Sequence, residues 1–148
     1  MKKMIGTLMC STLLLSATAF AETVAEKKMF DKSMEKINAS VEYTAKQCGT
    51  KVEAKLDKGS FSGEEALKTA NWCSSAIDAI GSICSDADYK AAVTKSIKTV
   101  ECKYNAALKG TENYGVEVKK NGSTLDVSYN KGSSNVNSQV SAFMKKNL

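Results

Sequence analysis

The chain of 148 residues contains no histidine, no arginine and no proline. Without histidine, the Ser-His-Asp and Cys-His nucleophile systems are excluded, and zinc loses its usual nitrogen ligand. Without arginine there is no bidentate fork for guanine, phosphate or carboxylate, and the lysines are interleaved with acids rather than gathered in a run. Both features argue against a nucleic-acid partner. Without proline, turns must rely on glycine, asparagine and serine. The sequence also has no C-x-x-C, so a thioredoxin-like redox site has no support, and no G-x-G-x-x-G, Walker or G-x-S-x-G motif. No cofactor or metal is therefore expected.

One apolar run is present, and it stands at the start. Lys2 and Lys3 precede the uncharged stretch Met4–Leu15, and Ala19-Phe20-Ala21 follows. Basic, apolar and small-residue parts in that order are those of a secretory signal peptide, cleaved between Ala21 and Glu22. The run is shorter than the roughly 20 residues of a membrane span. A lipoprotein signal around Cys10 is disfavoured, because Met9 stands where a small residue is needed. Residues 22–148 then form a single domain of 127 residues with no stable membrane span, carrying 19 lysines against 16 acidic residues. The expected address is periplasmic or extracellular.

Cleavage leaves Cys48, Cys73, Cys84 and Cys102. An even set in an exported chain reads as two disulfides. Cys73 and Cys84 fall in one expected helix, roughly 16 Å apart at 1.5 Å per residue, too far to bridge unless the helix breaks at Gly81. Cys48 with Cys73 and Cys84 with Cys102 is the favoured pairing. The third pattern, Cys48 with Cys84 and Cys73 with Cys102, stays open.

Periodicity supplies the elements. Phe30, Met34, Ile37 and Val41 make a helical stripe over 22–47, ending at Gly49. Lys51–Asp57 alternates as a strand, with Val52, Ala54 and Leu56 inward. Ser62-Gly63-Glu64-Glu65 reads as a capping box opening one helix through Ala66, Ala70, Cys73, Ile77, Ile80 and Cys84. Ser85 is expected to cap a shorter helix with Tyr89, Val93 and Ile97, and Thr99–Tyr104 alternates as a second strand. Asn121-Gly122 signals a type I′ hairpin between Tyr114–Lys119 and Ser123–Tyr129. A two-residue turn there sets Val118 opposite Leu125, Val116 opposite Val127 and Tyr114 opposite Tyr129. It also sets Glu117 against Asp126, a like-charge pair for a cation or for lysines such as Lys119 and Lys103 to neutralise. Ser133-Ser134-Asn135 begins a terminal helix with Val136, Val140, Phe143 and Met144 on one side. The expected fold class is α+β: a three- or four-stranded antiparallel sheet packed on several helices, with two disulfides.

Candidate chemistry is sparse. Glu64 with Glu65 and Asp86 with Asp88 are the carboxylate sets an acid–base hydrolase would need, but both stand at helix starts, where capping explains them. The D-x-D at Asp86 lacks the further ligands of a calcium loop. Trp72 is the one ligand-binding candidate, a stacking or anchoring residue if exposed and a core-edge residue if not.

The run Cys48-Gly49, the strand after it, Cys73 and Cys84 on a helix, Cys102 on a strand, the glycine hairpin and terminal Asn147-Leu148 resemble a group of small exported bacterial proteins of unassigned function. The resemblance implies a fold and no substrate. The expected function is a non-catalytic periplasmic or secreted binding protein, with an inhibitor or immunity-type protein as a variant and an envelope protein or glycan as partner. The alternatives are an envelope hydrolase using carboxylates and a structural envelope component.

Overall fold

The computed structural model describes residues 23–109 and 113–148. The expected leader, with Ala21, Glu22 and Cys10, lies outside these residues.

The first helix, α1 (Val24–Cys48), begins at a capping box: the Thr23 hydroxyl accepts from the Glu26 N–H while the Glu26 carboxylate accepts from the Thr23 N–H. Gly49, at φ 71°, ends it by donating its N–H to the Ala45 carbonyl. Ile37 and Val41 are buried and Phe30 and Met34 half-buried, as the stripe predicts. After β1 (Glu53–Leu56) the expected single helix divides into α2 (Glu64–Thr69) and α3 (Trp72–Ile83). The Thr69 hydroxyl turns back on the Ala66 carbonyl, and the Ala70, Cys73 and Ser74 N–H groups bond three residues back instead of four. That tightening breaks the ladder. The buried Tyr129 hydroxyl donates to the Ala70 carbonyl at the junction.

Two caps differ from expectation. Gly63, at φ 84°, takes the N-cap of α2 in place of Ser62, so the Ser62–Glu65 box does not form. Asp86, not Ser85, caps α4 (Ala87–Ser96); its carboxylate accepts from the Asp88 and Tyr89 N–H groups. An ionised side chain gains from the helix dipole where a serine hydroxyl does not.

The sheet contains β1, β2 (Thr99–Tyr104), β3 (Val116–Asn121) and β4 (Thr124–Tyr129) in the order β1-β2-β4-β3. It is mixed, not antiparallel as expected: β1 and β4 both run parallel to β2, and only the β3–β4 hairpin is antiparallel. The three helices between β1 and β2 form the long crossover a parallel pair requires. Val100, Cys102, Leu125, Val127 and Tyr129 face the core, while Glu101, Lys103 and Asp126 lie on the opposite, polar face. Alternation reports one buried face and is silent on strand direction.

The hairpin register also differs from expectation. Val118 faces Val127, Val116 faces Tyr129 and Lys120 faces Leu125, a slip of two residues. The turn residues are Gly122 and Ser123, and Gly122, at φ 59°, is the only one of the two with positive φ, the pattern of a II′ turn. A two-residue slip leaves every side chain on its face. It also removes the Glu117–Asp126 opposition: Lys119 stands opposite Asp126, and Glu117 opposite Ser128.

The bridges are Cys48–Cys84 and Cys73–Cys102, so the favoured pairing of Cys48 with Cys73 and Cys84 with Cys102 is corrected. Helix α3 lies along α1, which brings the C-terminal cysteine of one to the C-cap cysteine of the other. The other end of α3 reaches β2. One helix is thereby pinned at both ends, which is why its two cysteines do not join each other. Gly81 allows the close packing: the Thr44 hydroxyl beside it donates to the Ile77 carbonyl at 2.9 Å. The last helix, α5 (Val136–Asn147), follows Asn135 and buries Val136, Val140 and Met144, with Phe143 half-buried, as expected.

Candidate functional site

Trp72 opens α3 immediately before the bridged Cys73, so its position is set by a disulfide. It is half-buried, and its ring leans on Tyr129 with centroids 5.9 Å apart. Tyr129 in turn meets Phe61, and Phe61 meets Tyr104, so the indole ends a row of rings that crosses the core. Burial pushes the Tyr129 phenol well above its usual range.

Beside the indole is a cleft of about 320 Å³, walled by Trp72 and Ser75 of α3 on one side and residues 133–138 on the other. The Asn137 amide donates to the Ser75 carbonyl at 3.3 Å and joins the two walls. The 133–138 wall is shaped by a polar turn. Asn130 and Ser133 bond to each other, the Ser133 hydroxyl donates to the Gly115 carbonyl, and the Ser134 N–H donates to the Tyr114 carbonyl. Tyr114 and Asn135, at φ 55° and 56°, are the two non-glycine left-handed residues among the described residues. Asn135 ends this turn, and Tyr114 lies in the short 3-10 helix Asn113–Gly115 whose carbonyls the turn bonds. Non-glycine residues in that region cost about 1–3 kcal/mol each and persist where the surroundings over-determine them. Among the described residues, no charged side chain lines the cleft.

The carboxylate candidates are elsewhere and occupied. Glu64 pairs with Lys68 at 2.7 Å and Glu65 with Lys131 at 2.8 Å. The Lys131 hydrogen bond holds the Glu65 carboxyl below its usual range, the opposite of what a general acid requires. Asp86 caps α4, with Asp88 exposed in its first turn. Asp126 accepts from the Asn121 amide, and Glu117 pairs with Lys119 at 2.9 Å. Among the described residues no group of three or more acids or cysteines is placed to hold a metal ion. No helix there is long and apolar enough to cross a membrane.

A second groove, of about 390 Å³, runs between the edge strand β3 and α5, with Val116, Val118, Phe143 and Lys146 along it. Of the cleft residues, Trp72 is legible in the sequence as a candidate, and Ser75, Asn135, Asn137 and Ser138 are not. The last three read as the start of a helix, and nothing local says that this start lies against α3. Compared with known protein families, curated proteins and solved structures, the chain matches none.

Proposed function

We propose that this protein is a non-catalytic binding module acting in an oxidising compartment after export, in the periplasm or outside the cell, and that the Trp72 cleft is its binding site. The two disulfides support the compartment, since such bridges persist where thiols are not kept reduced. The same bridges consume all four cysteines that follow the expected leader, leaving no thiol nucleophile among them. The observation that carries the binding reading is the cleft itself: a half-buried indole, held by Tyr129 and a bridged neighbour, beside polar side chains and, among the described residues, no charged one. A rigid aromatic with an apolar body and one N–H donor is a common anchor for a ligand.

The leading partner is an envelope protein or glycan, and an inhibitor or immunity-type role is the variant in which the cleft takes a protein segment. The hydrolase alternative needs two acids in a concave site, one with a raised pKa. Among the described residues, neither cleft nor groove is lined by a carboxylate. The test is retention of envelope components on immobilised, oxidised protein, compared with Trp72→Ala. Material held by the native protein and released by the variant supports the reading. Equal retention on both, or none on either, refutes it.

A further inference from the structure

The hydrogen-bonding around Trp72 narrows the ligand class. Serines on other faces of α3 satisfy themselves: Ser74 donates to the Asn71 carbonyl at 2.6 Å and Ser82 to the Asp78 carbonyl at 2.8 Å. On the cleft side, the Ser75, Ser134, Asn135 and Ser138 side chains make no hydrogen bond among the described residues. The cleft therefore offers hydroxyl and amide groups that both donate and accept. A quarter of the chain is charged, yet among the described residues no charged side chain lines this site.

A charged ligand taken here would lose water and, among the described residues, meet no charged side chain to offset the loss, only the partial charge of the α3 and α5 N-termini. The cleft's volume is at the low end of the roughly 300–1,000 Å³ of small-ligand sites. Val24, Tyr43 and Tyr114 are the large hydrophobics exposed among the described residues, and none of them lines the cleft. A protein partner would find, among the described residues, no exposed large hydrophobic along the cleft to cover. What fits is a molecule with an apolar face and a hydroxylated edge.

The geometry points to an uncharged saccharide, one ring stacked over the Trp72 indole with its hydroxyls bonded to Ser75, Asn135 and Ser138. This assignment rests on the binding-module reading above and names its ligand. Stacking buries the sugar's C–H face against the ring, and the neutral rim replaces the water lost by its hydroxyls.

Trp72 is the one tryptophan in the chain, so its emission reports on the site. The oxidised protein is titrated with cellotetraose, chitotetraose and maltotetraose, and with tetragalacturonate as a charged counterpart. At least one neutral oligosaccharide should shift the emission saturably and protect it from iodide, while tetragalacturonate does neither. Ser138→Leu, an exposed position, should abolish the response with unfolding unchanged. Trp72→Phe, which keeps a ring against Tyr129, should weaken binding about tenfold by calorimetry. The assignment is overturned if none of the three neutral oligosaccharides binds, if tetragalacturonate binds as tightly, or if Ser138→Leu responds like the native protein. Protection of Trp72 by envelope extract but by no neutral sugar overturns the saccharide alone; protection by neither overturns the binding module too.

Discussion

Gly81→Ala puts the helix–helix contact to a direct test. A methyl group at Gly81 would stand 2.7 Å from Tyr43 Cε1 and 2.9 Å from Thr44 Oγ1. Alanine by itself favours a helix interior by about 0.8–1 kcal/mol over glycine. Against this, forcing a methyl into a packed seam costs about 1–3 kcal/mol. The Tyr43 ring is 40% exposed and can swing outward. Thr44 is fully buried and tied to the Ile77 carbonyl, so displacing it forfeits a further ~1 kcal/mol. The net is a loss of about 1–3 kcal/mol, read from urea unfolding of the oxidised protein by Trp72 emission. Tyr43→Ala should relieve part of that cost, giving a coupling of at least about 0.5 kcal/mol in the double-mutant cycle. If Gly81→Ala unfolds at the same or higher urea, helix propensity has won. The close approach of α1 to α3 at Gly81 and the anchoring of Thr44 would then be wrong.

Other expectations follow from the same packing. Peptide mapping without reductant should recover Cys48 joined to Cys84 and Cys73 to Cys102; a Cys48–Cys73 fragment would contradict the fold. Replacing Cys48 and Cys84 together by serine opens a 36-residue loop and should cost about 4 kcal/mol by loop entropy, measured in denaturant. Tyr129 has a folded pKa above its unfolded value, so the stability it contributes is intact below about pH 10 and lost as pH rises beyond that, at about 1.4 kcal/mol per unit. Tyrosinate absorbance should show one of the five tyrosines ionising only with unfolding, and Tyr129→Phe should remove that step. Lys119→Glu sets like charges opposite each other at Asp126 and should destabilise the hairpin by about 0.2–1 kcal/mol in a thermal melt. No change would favour the register in which Glu117 faces Asp126.

Much of the local structure was legible in the residues. The stripe Ile37, Val41 and the alternations Val100–Cys102 and Leu125–Val127–Tyr129 marked buried positions, because burial follows the 3.6 and 2 periods whatever the partner. The hairpin was legible to within two residues, since that slip changes no face. The division of the central helix was not. Ala66, Ala70 and Cys73 keep helical spacing across the break, and the cause lies in a threonine hydroxyl and in Tyr129, which comes 59 residues after Ala70.

Which side chains are inward and where Gly49 stops a helix were decided by the sequence alone, because each depends on neighbours within a turn or two. That Cys48, Cys73, Cys84 and Cys102 form two bridges follows from parity once Cys10 is set aside with the expected leader. Strand direction, the pairing of Cys48 with Cys84, and the polar wall that faces Trp72 were decided only by the tertiary structure. These depend on how α3 packs against α1 and α5 and is bridged to β2, contacts between segments far apart in the chain that no local pattern encodes.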